Sequence, residues 1–108
     1  MSKTLFDVAA MPSLQQDEHI AQASRAMKAM SHPLRLKILA VVADGEVCVQ
    51  DILAQVGSSQ SNISQHLAVL RDKGVLRSRR DGNHILYRLG DTRTLAVMAI
   101  MREVFCGF

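Results

Sequence analysis

No apolar run in this chain of 108 residues approaches the length needed to cross a bilayer. Its opening segment, MSKTLFDVAAMP, has no apolar core of signal-peptide length and is broken by Asp7. The expectation is a cytoplasmic protein without membrane contact, whose two cysteines rest reduced. Aromatics are scarce too: one Tyr, three Phe and no Trp, so aliphatic side chains and six Met must fill the interior. There is no Gly-rich phosphate loop, no nucleophile set beside a base and no pair of carboxylates, which argues against an enzyme. At this length the chain is one domain with a modest core, which self-association would enlarge.

One absence is local. The stretch Ser58–Arg71, SSQSNISQHLAVLR, contains no Asp and no Glu. Ile63, Leu67 and Leu70 recur at helical spacing and define a buried stripe. Gln60, Ser61, Ser64, Gln65 and Arg71 fall mostly on the other side. Solvated helix faces usually carry Glu and Lys; this one carries hydroxyls and amides, the groups that match base edges in a major groove. The basic residues gather nearby. Residues 60–90 hold six (Arg71, Lys73, Arg77, Arg79, Arg80, Arg88) against two acids (Asp72, Asp81), while residues 1–59 hold five against six. A mild net charge of +3 is thus concentrated where phosphate contact is expected.

Read in order, residues 1–15 are expected to be a flexible arm, and residues 16–106 the folded domain. A first helix spans about Gln16–Met30, with a stripe of Ile20, Ala23, Met27 and Met30. A second starts at Ser31-His32-Pro33, with Ser31 as the expected cap; Leu34, Ile38, Val41 and Val42 bury, Arg35 and Lys37 stay in water, and Asp44-Gly45 ends it. Residues 49–73 form a helix-turn-helix: Val49–Val56, a turn at Gly57-Ser58-Ser59, then Gln60–Lys73. Residues 76–89 form two strands about Asp81-Gly82-Asn83, with Ile85, Tyr87 and Leu89 turned to the core. Arg77 and Arg79 share one face of the first strand and Arg80 lies beside the tip, so the hairpin reads as a wing along the phosphate backbone. A last helix, 92–105, capped by Asp91 or Thr92, carries the unbroken apolar run Leu95–Met101. Apolar all round, it calls for burial on more than one side. The fold class expected is mainly α with a small β-hairpin, a winged helix-turn-helix in the order α-α-α-α-β-β-α, forming a homodimer through its first and fifth helices.

The runs His32-Pro33-Leu34-Arg35-Leu36-Lys37-Ile38-Leu39, Ser59–Leu67, Leu70-Arg71-Asp72-Lys73-Gly74-Val75-Leu76 and Tyr87-Arg88-Leu89 together resemble the ArsR/SmtB family of winged-helix repressors. The resemblance covers about residues 16–106. It implies a dimer that binds an imperfect palindrome in promoter DNA and releases it when an inducer binds. It places Gln60, Ser61, Asn62, Ser64 and Gln65 at bases or nearby phosphates, and Arg71, Arg79, Arg80 and Asn83 at the backbone or minor groove. His66 follows these positions and either touches a phosphate or covers the turn. The rival class is a winged-helix module that binds proteins, which would not need these arginines together with an acid-free helix face.

The resemblance also bears on what is sensed. The family's zinc type uses an Asp-x-His pair and a His/Glu pair on the last helix; here Asp91 stands without a histidine, and no metal ligand set is assigned. The arsenic and cadmium type carries Cys-Val-Cys at the third helix, where this chain has Cys48-Val49-Gln50. A soft-metal site wants three or four thiolates and each chain has two, so As(III) or another soft metal is the alternative cofactor and none the expected one. Val104-Phe105-Cys106 is similar to the end of the sulfide- and redox-responsive members, whose second cysteine lies in the second helix, where this chain has Ala40. Pairing therefore has to run to Cys48. The expectation is that Cys48, at the start of the third helix, reacts first with reactive sulfur or an oxidant, and that Cys106 resolves it.

Overall fold

A computed structural model describes residues 16–107; the arm expected at 1–15 lies outside the described residues. The elements run α1 (Asp17–Met30), α2 (Pro33–Val41), β1 (Val47–Cys48), α3 (Val49–Val56), α4 (Gln60–Asp72), β2 (Leu76–Asp81), β3 (His84–Leu89) and α5 (Thr94–Cys106). Five helices and an antiparallel hairpin make the winged helix-turn-helix expected from the pattern. One strand was not expected. Val47 and Cys48 pair antiparallel with Tyr87 and Leu86, so the sheet has three strands in the order β1-β3-β2. Two residues cannot display a period of two, and this strand forms because β3 offers it a free edge.

The core is assembled around α2, α3 and α4. Ile38, Leu39 and Val42 meet Ile52 and Val56, and Ile63, Leu67 and Leu70 close the layer against Val75, Leu76, Tyr87 and Leu89. The stripe read from α4 is the one buried. Only the last turn of α1, Ala29 and Met30, enters this core, and α5 contributes no buried residue. The stripe expected on α1 is therefore largely exposed in the protomer, with Ile20 at 48% and Met27 at 66%.

Two helix starts differ from expectation. The α2 cap is His32 and not Ser31: its extended backbone leaves Nδ1 facing the helix, where it accepts the Leu34 N–H at 3.1 Å. Pro33 then occupies the first turn, where its missing N–H costs nothing. Helix α5 starts at Thr94 because the Asp91 carboxylate accepts the Arg93 N–H at 2.9 Å and holds residues 91–93 in a turn.

Candidate nucleic-acid interface

The helix-turn-helix is built by local chemistry. Gly57 ends α3 at φ 77°, a left-handed conformation that glycine adopts without penalty. Two residues on, the Ser59 hydroxyl accepts the Asn62 N–H at 3.2 Å and caps α4. The Asn62 amide donates to the Ser58 hydroxyl at 2.9 Å. Asn62 is half-buried and braces the turn, whereas the resemblance implies a place at bases or nearby phosphates. Burial of Ile63, Leu67 and Leu70 leaves Gln60, Ser61, Ser64 and Gln65 exposed on the opposite face. No acid stands in the first turn of α4. Arg71 is exposed at the far end, 3.8 Å from Asp72.

His66 does not join that face. Its ring lies 4.3 Å from the ring of His32 at 40°, within the packing of α4 on α2. The Arg35 guanidinium stands beside it, with Nη1 3.5 Å from His66 Nδ1 and Nη2 donating to the Lys28 carbonyl at 3.4 Å. Burial, then the charges of His32 and Arg35, hold the His66 pKa below its ordinary value. His66 thus joins α4 to α2, and Arg35, expected in water, has a buried Nε without a hydrogen-bond partner. Spacing carries this signal: His66 is three residues beyond Ile63, on the flank of the buried stripe.

The wing turns through Gly82 and Asn83, with Asp81 opposite His84 and Gly82 at φ 61°, as a two-residue hairpin turn with glycine first requires. Arg77, Arg79 and Arg88 share the face turned from the core; Arg80 lies on the other face, opposite Ile85 and near the tip. All four are exposed, as is Asn83. Arg79 is not available as expected. Its Nε and Nη2 both donate to the Glu46 carboxylate at 2.7 Å, a planar two-bond pair. This pairing lowers the Glu46 pKa and raises that of Arg79. Glu46 carries no signal of this role in the sequence, because only strand β1 brings it beside the wing. Arg80 has no hydrogen-bond or ion-pair partner among the described residues.

The two thiols are free. Cys48 occupies the cap position of α3, yet its sulfur bonds no backbone amide; it donates to the Asp51 carboxylate at 3.3 Å. Cys106 ends α5, exposed, in a groove of about 660 Å³ with Leu36, Ala40, Ala43 and Phe105. A second apolar groove, of about 820 Å³, runs between α1, the start of α2 and α5, past Ile20, Met27, Val97 and Met101. Among the described residues, no three His, Cys, Asp or Glu side chains are gathered as a metal site, and no helix is long and apolar enough to cross a membrane.

Residues 32–78, which hold α2 and the whole helix-turn-helix, match the family described as bacterial regulatory protein, arsR family. A biofilm growth-associated repressor of Xylella fastidiosa is 32% identical over 86 residues, covering 80% of this chain and 75% of that one. The chain belongs to the arsR family of bacterial regulatory proteins. Its members are DNA-binding transcriptional regulators and not enzymes. A second relative, the transcriptional activator HlyU of Vibrio cholerae, is 32% identical over 92 residues, 85% of each chain. The solved HlyU structure superposes with a TM-score of 0.76 over 84% of this chain and 99% of its own. A second solved structure, Mb0332 from Mycobacterium bovis, is described as a homodimeric winged helix-turn-helix DNA-binding domain and a possible ArsR-family regulator. It has a TM-score of 0.72 at 27% identity, over 96% of this chain and 89% of that one.

Proposed function

We propose that this arsR-family chain is a repressor that binds a promoter palindrome as a homodimer and leaves it when its thiols are modified. The observation that carries the DNA reading is the exposed, acid-free face of α4, Gln60, Ser61, Ser64 and Gln65, followed by Arg71, Arg77 and Arg80. Amides and hydroxyls on a helix match base edges, and the cations match the flanking phosphates. Asn83 and Arg80 put the wing tip at the backbone or minor groove. A module that binds proteins needs no such pairing of charge with an acid-free face.

Support for the dimer comes from α1 and α5. Val97, Ile100, Met101 and Val104 are exposed with Ile20 and Met27, and the groove between the helices is almost wholly apolar. A second copy seated there would space two reading helices for successive major grooves, about 34 Å apart. The X. fastidiosa relative is named a repressor and HlyU an activator; repression is the reading taken here.

The inducer reading rests on where the thiols sit. Cys48 starts the helix-turn-helix and Cys106 ends the helix of the apolar face. In this scheme Cys48 takes a sulfane sulfur from a polysulfide. Cys106 then attacks the inner sulfur, forming a Cys48–Cys106 disulfide and expelling hydrogen sulfide. Joining α3 to α5 displaces the reading helices from the groove spacing. A second solved form of HlyU is described as reduced HlyU.

The test is fluorescence anisotropy on the duplex upstream of the protein's own coding region, with the protein reduced or treated with polysulfide. Tight binding that weakens steeply with salt, is lost on treatment and is restored by reductant supports the whole scheme. Binding that survives treatment but is lost with arsenite moves the inducer to a soft metal. Absence of salt-dependent binding to any duplex overturns the DNA reading.

A further inference from the structure

We propose that Glu46 is a specificity-determining residue of this regulator, an internal competitor that holds Arg79 off the phosphate backbone. The inference rests on the DNA-binding reading above. Its basis is the geometry at the outer face of the sheet. Cys48, Leu86 and Arg79 stand opposite one another across β1, β3 and β2. Glu46, two residues before Cys48, lies on the same face and reaches past β3 to Arg79. Both guanidinium donors used, Nε and Nη2, meet separate carboxylate oxygens at 2.7 Å. That is the fork geometry with which arginine also clasps a phosphate, so carboxylate and phosphate compete for the same donors.

The surroundings strengthen the competition. Asp81, two residues further along the same face of β2, adds to the negative field at Arg79. Glu46 in turn faces Arg88 as well as Arg79. The carboxylate belongs to the segment leading into β1, which the sheet holds beside the wing. By contrast Arg80, one residue further along β2, points to the other face and has no such carboxylate. The two neighbouring arginines therefore have separate uses. Arg80 is open to any duplex, whereas Arg79 reaches phosphate only by giving up Glu46. A wing with every arginine open would bind all DNA more tightly and so lower the ratio of operator to non-specific affinity, the quantity that locates a site in a genome.

The experiment measures anisotropy on the operator-containing upstream duplex and on a scrambled duplex of equal length, across a salt series. The proteins are wild type, Glu46→Gln, Arg79→Gln, Arg80→Gln and the double variant Glu46→Gln/Arg79→Gln. Glu46→Gln is expected to bind the scrambled duplex about two- to fivefold more tightly, the span an exposed ion pair provides. Its salt dependence should steepen by about 0.9, one further phosphate neutralised. Both gains should vanish in the double variant, and Arg79→Gln should weaken binding less than Arg80→Gln does. Asp44→Asn removes an exposed charge nearby without touching Arg79 and should produce a smaller gain. Glu46→Gln without effect, or a gain that persists in the double variant, overturns the proposal while leaving the DNA reading intact. Wild type without salt-dependent binding to either duplex overturns both.

Discussion

His66 leans on His32 with ring centroids 4.3 Å apart, and through this contact the reading helix α4 is seated on the start of α2. Both rings are used as acceptors at Nδ1. His32 receives the Leu34 N–H, and His66 faces an Arg35 nitrogen, which can only donate. Protonation of His66 at Nδ1 ends its contact with Arg35.

A pH dependence follows from His66. Its ordinary pKa is 6.5, and in the folded chain burial, His32 and Arg35 hold it lower. Between the two values the unfolded chain binds the additional proton, so stability is complete above about pH 6.5 and declines as pH falls through the window beneath it. Thermal unfolding from about pH 7.5 to about pH 5.5 should show a fall in Tm that is smaller for His66→Gln. Its amide oxygen accepts the Arg35 donor and does not titrate. Equal falls in both proteins would remove His66 as the source.

A second prediction concerns the crossing of the chain at Gly90. Its N–H donates to the Val75 carbonyl at 2.9 Å, and a Cβ there would run into the Gly74 carbonyl oxygen, which is backbone and cannot swing aside. Gly90→Ala should lower the unfolding free energy by about 1–3 kcal/mol, as overpacking does. Gly82→Ala meets open space and bears only the cost of its positive φ, about 1 kcal/mol. Urea denaturation of the two variants checks the order; Gly82→Ala as the more damaging change would refute it.

Much of this architecture was legible because short-range chemistry decides it. The spacing of Val49, Ile52, Leu53 and Val56 before Gly57 marks α3 at the bounds observed, and Gly82-Asn83 between alternating residues marks the hairpin. What escaped depends on contacts between distant residues. Strand β1 exists only because β3 has an open edge, and Glu46 meets Arg79 only because β1 exists. The pattern marks His32 as part of a helix start and leaves His66 either touching a phosphate or covering the turn; the ring contact that joins them spans 34 positions. The exposed side of α4 was legible because the buried stripe Ile63, Leu67 and Leu70 is strictly periodic.

The apolar surface of α5 gives a third prediction. Val97 is 49% exposed on the described protomer and lines the groove beside Ile20 and Met101. Val97→Glu leaves the protomer's core untouched, so helicity and cooperative unfolding should persist. In a dimer closed over this face the same carboxylate would be buried without a partner, at a cost that weakens association at least about tenfold. Sedimentation velocity over a concentration series should show monomer where wild type is dimeric, with weaker binding to a two-half-site duplex. A Val97→Glu dimer of wild-type strength would move the interface elsewhere.

The last prediction separates reading bases from holding backbone. Gln65 is exposed on the acid-free face of α4, and Arg80 is exposed near the wing tip. An amide that pairs with a base edge contributes only where that base is present. Gln65→Ala should therefore cost about 1–3 kcal/mol on the operator and little on a scrambled duplex. A guanidinium on phosphate acts on any sequence, so Arg80→Gln should weaken both duplexes alike and flatten the salt dependence by about 0.9. The two variants thus differ in kind as well as in size, and two duplexes over a salt series distinguish them. Should Gln65→Ala weaken both duplexes equally, Gln65 contacts backbone, and the reading face of α4 narrows to Gln60, Ser61 and Ser64.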